Sequence, residues 1–125
     1  MGRTSFTNSK FRGNLNLPKC TVIGEHAFRN SKFTGSLNLP ACTEFWFDAF
    51  LSSNFSGELY IPNCVYISQN VFMNSNFSEI TIGANAVLSA NCIGAHSGEF
   101  IRDYAANNKQ AGTYVWDGQY WIYQN

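Results

Sequence analysis

Asn30-Ser-Lys-Phe-Thr-Gly-Ser-Leu-Asn-Leu-Pro-Ala-Cys-Thr-Glu-Phe-Trp-Phe-Asp-Ala-Phe-Leu51 is one copy of a unit that recurs along most of the 125-residue chain. A step of 22 residues links Phe11, Phe33, Phe55 and Phe77, and the same step links Gly13, Gly35 and Gly57. It also joins Leu15 to Leu37 and Leu59, Pro18 to Pro40 and Pro62, Cys20 to Cys42 and Cys64, and Phe28 to Phe50 and Phe72. Six columns in one register mark a solenoid, in which each coil buries its apolar side chains against the coils above and below. The prediction is a β-rich coil stack of about four coils, with the phenylalanines in straight buried rows.

Each coil divides into two halves. Phe-x-Gly-x-Leu-x-Leu/Ile-Pro alternates with period two, the pattern of a short strand with Leu15 and Leu17, Leu37 and Leu39, Leu59 and Ile61 inward. Asn14, Asn16, Ser36, Asn38, Glu58 and Tyr60 then face out. Proline lacks the N–H a ladder needs and turns the chain. The second half returns along the other side with Ile23, Ala27 and Phe28 inward, and in the third coil with Val65 and Ile67 inward and Tyr66 out. Asn-Ser pairs at 8–9, 30–31 and 74–75 suit turns, because asparagine tolerates left-handed backbone. In the fourth coil Phe77-Ser-Glu-Ile-Thr-Ile82 lacks the glycine, so the register slips by one and Gly83 replaces proline.

The repeats divide into an incomplete unit over 1–7, coils over 8–29, 30–51, 52–73 and 74–93, and a different segment over 94–125. Within that segment Ser97 to Asn107 predicts a helix with Ser97 as N-cap and Phe100, Ile101 and Tyr104 on one face. Asp117-Gly118 between two β-rich runs predicts a hairpin with Tyr114 opposite Trp121 and Val115 opposite Tyr120. Tyr114, Trp116, Trp121 and Tyr123 share one face and Val115, Tyr120 and Ile122 the other; one face covers the last coil, and the remaining one is either buried by the helix or exposed. Because the chain starts in mid-repeat, its first coil lacks a polar cap. The expectation is the C-terminal part of a longer array, or self-association through the uncapped N-terminal end.

Eight basic residues balance eight acidic ones, with no run of either sign. That argues against nucleic acid and anionic membrane as partners, which need a concentrated basic patch. No apolar run approaches the roughly 18 residues of a membrane span. Only 13% of residues are charged while 16% are aromatic, so asparagine, serine and threonine supply much of the polar surface.

Phe33-Thr-Gly-Ser-Leu-Asn-Leu-Pro40, together with Ile23-Gly24-Glu-His-Ala27-Phe28, resembles the unit of the BspA-like leucine-rich repeat proteins. Phe100-Ile101-x-x-Tyr104 and Lys109-x-Ala111-Gly112-Thr113-Tyr114 are similar to the segment that closes arrays in that family. The resemblance covers roughly residues 8 to 114. It implies a right-handed leucine-rich-repeat-like solenoid in a secreted or surface-anchored protein associated with adhesion to host proteins and other cells.

Four groups of side chains are candidates for function. The column Cys20, Cys42, Cys64 would lie at the strand spacing of about 4.8 Å, but parallel Cβ vectors keep the Cβ atoms wider than the roughly 3.8 Å a disulfide prefers. No CxxC or His partner spacing accompanies it, so buried free thiols are expected and no cofactor or metal. His26, Asp48 and Asn70 form a second column, which reads as a solvated turn because no nucleophile joins it. Acid pairs, nucleophile–base pairs and phosphate loops are absent from the sequence, so the expectation is a protein without catalytic activity.

The third group departs from the repeat. Trp46 and Phe47 stand where the first coil has Gly24 and Glu25; Tyr60 replaces Asn16 and Asn38, and Tyr66 lies outside the inward parity. Either Trp46, Phe47, Tyr60 and Tyr66, with Asn14, Asn16, Asn38 and Glu58, form a surface for a protein partner, or Trp46 or Phe47 folds over a locally wider core or packs on a coil neighbour. The fourth group is the hairpin, whose Tyr114, Trp116, Trp121 and Tyr123 would stack on a glycan as the alternative reading.

Overall fold

A computed structural model of the chain describes residues 6, 8, 10 and 12–124. Four coils are stacked so that each gives one strand to each of two parallel sheets. β1 (Arg12–Asn16), β3 (Lys32–Asn38), β5 (Glu58–Ile61) and β7 (Glu79–Ile82) lie side by side in the first. The second is built from β2 (Val22–Ile23), β4 (Glu44–Phe45), β6 (Tyr66–Ile67) and β8 (Val87–Leu88). Leu15 pairs with Leu37 and Leu37 with Leu59, the 22-residue step read as strand register. The slip in the fourth coil is equally visible, since Glu58 pairs with Glu79 and Tyr66 with Val87.

The columns become two rows of stacked rings. Phe28 lies 5.0 Å from Phe50 and Phe50 lies 5.3 Å from Phe72, with interplanar angles of 2° and 11°. Phe33, Phe55 and Phe77 repeat this at 5.4 and 5.7 Å, and the rows meet edge to face, as at Phe50–Phe55. All six rings are buried. Such aromatic pairs contribute about 0.5–1.5 kcal/mol each beyond their area. The equivalent position in the first coil, Phe11, lies outside the described residues.

Two corners per coil turn on left-handed backbone. His26, Asp48, Asn70 and Asn91 have φ between 56° and 59°; Asn8, Asn30, Ser52 and Asn74 have φ between 60° and 82°. Asparagine is frequent there because its short amide relieves the conformation locally. The amides also bond from coil to coil, Asn30 Nδ2 donating to Asn8 Oδ1 at 3.0 Å and Asn91 Nδ2 to Asn70 Oδ1 at 3.2 Å. Ser31, Ser53 and Ser75 are buried just behind this corner, where Ser75 Oγ accepts from Phe55 N and donates to Ser53 O.

The C-terminal segment departs from expectation in three ways. The helix α1 (Ser97–Ala106) is capped by His96 in left-handed geometry, and not by Ser97. Ser97 is buried within the first turn, donating to Gly94 O at 2.6 Å and accepting from Ile93 N. The hairpin of β9 (Gly112–Trp116) and β10 (Trp121–Gln124) does not lie across the last coil but extends the first sheet, β9 pairing antiparallel with β7. α1 instead closes the core: the Tyr104 hydroxyl donates to Gly83 O at 2.6 Å and accepts from Ala86 N at 3.0 Å.

The hairpin register also differs. Trp116 pairs with Trp121, Val115 with Ile122 and Tyr114 with Tyr123. Asp117 N donates to Tyr120 O, so the turn is Gly118-Gln119, with φ +102° at Gly118. Asp117 Oδ1 accepts from Gln119 N and Tyr120 N, which holds the turn one residue later than the Asp-Gly dipeptide suggested. The pairing moves by two residues, so the faces survive the shift.

Candidate functional site

The outward side of the first sheet carries two rows of side chains across the coils. One runs through Asn16, Asn38, Tyr60, Thr81 and Thr113; the other continues from Glu58 to Glu79 and Val115. Glu79 and Thr81 were not among the residues singled out from the sequence. The one-residue slip hides them from the 22-residue step, and allowing for that slip finds both.

Part of this polar surface is consumed by the stack itself. Asn14 Oδ1 accepts from Ser36 N at 2.7 Å, and Ser36 Oγ accepts from Glu58 N at 2.9 Å. A Cβ on Gly35 would overlap Asn14 Oδ1 and one on Gly57 would overlap Ser36 Oγ, which accounts for glycine at these two positions, whereas Gly13 has open space and a positive φ of +75°. Ser56 Oγ and Thr43 Oγ1 likewise donate to carbonyls one coil away. Asn14 is therefore a structural rung, with its side-chain oxygen already engaged.

Asn38, Glu58 and Tyr60 are arranged otherwise. With Ser36 and Leu37 they line a hollow of about 310 Å³ on the sheet. Tyr60 is 41% exposed, Glu58 is exposed, and Asn38 Oδ1 is shielded from solvent without a hydrogen-bond partner. Across the strand, Glu79 has its carboxyl pushed above the usual carboxylate range, first by burial and then by the adjacent Glu58. Asn16 is exposed one coil earlier in the same row as Asn38.

The remaining aromatics lie at the second sheet. Trp46 and Phe47 are 42% and 37% exposed, so neither ring folds into a wider core. Both instead pack on a coil neighbour while keeping exposed surface: Trp46 on the half-buried Tyr66 at 5.2 Å, and Phe47 edge to face with His26 at 5.7 Å. Val65 is exposed here rather than inward, joining Val87. Its column begins with Thr21 and Thr43, residues suited to a half-wet position. The structure thus divides the sequence candidates between two sheets: Tyr60, Glu58 and Asn38 on one, Trp46, Phe47 and Tyr66 on the other.

The hairpin rings are largely occupied. Tyr114 and Trp121 are buried against α1, each about 5.5 Å from Phe100 in edge-to-face contact. The Tyr114 hydroxyl donates to Gln110 O and accepts from Asn107 Nδ2, while Trp121 Nε1 donates to His96 O. Trp116 is half-buried with His96 stacked on it at 4.1 Å, and Tyr123 is half-buried with its hydroxyl on Ala111 O. The shared face is the inward one, because α1 needs an apolar surface to close on. That removes Tyr114 and Trp121 from any glycan contact and leaves Tyr120 and Ile122 exposed on the other side.

His26 Nδ1 lies 3.7 Å from Asp48 Oδ2, and Asp48 is buried rather than solvated. The four cysteines are free thiols. Cys42, Cys64 and Cys92 are buried, which pushes each thiol up to about 12, and Cys20 is half-buried. Cys20 and Cys42 each point their sulfur at the carbonyl two residues on, at 3.4 Å. Among the described residues no group of three or more His, Cys, Asp or Glu side chains could hold a metal ion, and no helix is long and apolar enough to cross a membrane. No family model, curated protein or solved structure matches the chain.

Proposed function

We propose that this solenoid is a non-catalytic interaction module of a secreted or cell-surface protein, as the resemblance to BspA-like repeats implies, and that it binds a protein partner through its stacked coils. The observation that carries this reading is the Tyr60 hollow. Several coil-to-coil polar groups are spent on the stack, yet here an exposed ring and an exposed carboxylate stand together on a parallel sheet. Side chains held by a packed scaffold lose little further entropy on binding, so few contacts suffice.

The test is an array of purified extracellular-matrix and cell-surface proteins, with glycans as a second panel. It is probed with the wild type, Tyr60→Ala on the first sheet and Trp46→Ala on the second. Binding to a protein that falls at least tenfold in Tyr60→Ala alone is the expected result. Binding indifferent to Tyr60 but lost in Trp46→Ala moves the interface to the second sheet, and a signal confined to glycans overturns the reading.

A further inference from the structure

We propose that the Tyr60 hollow receives an arginine side chain of the partner protein, an inference that rests on the interaction reading above and names its chemistry. Beside the apolar Leu37, the hollow is lined by Tyr60 and Glu58, both exposed, by Asn38 and by Ser36, whose hydroxyl oxygen already accepts from Glu58 N. Glu79 sits beside Glu58 in strand register and adds a second carboxylate. Among the described residues neither carboxylate has a lysine or arginine within ion-pair distance. Burial is the first cause of the upward shift of Glu79 and the neighbouring Glu58 charge adds to it, so a cation placed beside the pair would relieve part of it.

The molecule contains the filled version of this arrangement at its other end. There Arg102 lies over the Tyr120 ring with its Cζ 4.9 Å from the centroid, and forks onto Asp103 through Nε at 2.8 Å and Nη2 at 3.0 Å. A tyrosine face beside a carboxylate suits a guanidinium because the planar group stacks on the ring while its N–H groups reach the oxygens. At Tyr60 the ring and carboxylate are present and the cation is missing. An ammonium would be drawn to the same field, but only a guanidinium also lies flat on the ring and donates in a fork. A neutral sugar would gain the ring contact and none of the charge.

The test uses the ¹⁵N-labelled chain and blocked arginine (N-acetyl-arginine amide) as probe, with blocked citrulline as its neutral isostere and cellobiose as the sugar arm. Saturable shifts of the amides of residues 36–38 and 58–60 are expected with arginine. Citrulline should bind about tenfold more weakly, and added salt should weaken the arginine effect, as for a charge-assisted contact at a surface. Tyr60→Ala should abolish the shifts and Glu58→Gln reduce them about fivefold, whereas Tyr120→Ala should leave them intact. Equal binding of citrulline, shifts confined to other residues, a response to cellobiose alone, or no shift at tens of millimolar arginine would each overturn the inference. If the protein array depends on Tyr60 while arginine has no effect here, the interaction reading survives and only the arginine assignment falls.

Discussion

Gly94 joins the last coil to α1 with φ +84°, and a Cβ there would overlap the carbonyl oxygens of Phe72 and Ser75. Both oxygens are in use, Phe72 O accepting from Ser75 N at 2.9 Å and Ser75 O from Ala95 N at 2.8 Å. Gly94→Ala therefore meets two costs. Left-handed backbone disfavours alanine by about 1 kcal/mol. Moving two carbonyls off their donors adds about 1 kcal/mol for each hydrogen bond weakened. The sum is about 3 kcal/mol, and at about 4 °C per kcal/mol for a chain of this size Tm should fall by about 12 °C. Two further glycines separate the costs. Gly118 has φ +102° but open space around it, so Gly118→Ala should lose only the backbone part, about 4 °C. Gly98 lies in the first turn of α1, without positive φ and with nothing within 4 Å, so Gly98→Ala should raise Tm by about 2 °C through helix propensity. Thermal unfolding followed by far-UV circular dichroism reads all three. A Gly94→Ala protein within about 2 °C of the parent, or Gly98→Ala falling as far as Gly94→Ala, would refute the argument.

Tyr104→Phe removes a hydroxyl that serves Gly83 O and Ala86 N in the buried seam under α1, and leaves that N–H without an acceptor. Urea unfolding should show a loss of about 2 kcal/mol, and an unchanged midpoint would show that water replaces the hydroxyl. In a thiol-reagent titration of the native protein only the half-buried Cys20 should react promptly. Cys42, Cys64 and Cys92, with thiols pushed up to about 12 by burial, should react only on unfolding; fewer than four thiols in unfolded, unreduced protein would reveal a disulfide. Asp103 accepts from Arg102 and from Trp121 N, and these bonds, the arginine's foremost, hold its carboxyl below the usual range. Because the folded value is the lower one, its stabilisation is complete above the ordinary aspartate value of about 3.9 and disappears as pH falls through the folded value. Asp103→Asn should therefore be less stable than wild type at pH 7, with the gap closing below about pH 4; a gap that persists into acid would mean that packing, not charge, fastens the hairpin.

Repetition was the legible part of this protein. A period of 22 residues dictates that like residues stack, so the phenylalanine rows, the parallel registers and the left-handed asparagine corners follow from the chain alone. The step also located the slip in the fourth coil, because a deletion changes register whatever surrounds it. Positions that do not repeat were not legible, since their surroundings are made by neighbouring coils and by the cap. Val65 faces out because its column is the half-wet one, and Asn14 is a rung because Ser36 N needs its oxygen. The hairpin turn moved to Gly118-Gln119 because Asp117 captures the two following amides, and its aromatic face went inward because α1 closes on it. The hollow at Tyr60 likewise exists only once β3 and β5 bring Asn38 and Tyr60 side by side; a linear pattern fixes which residues recur, while the contacts between coils decide which of them remain free to bind.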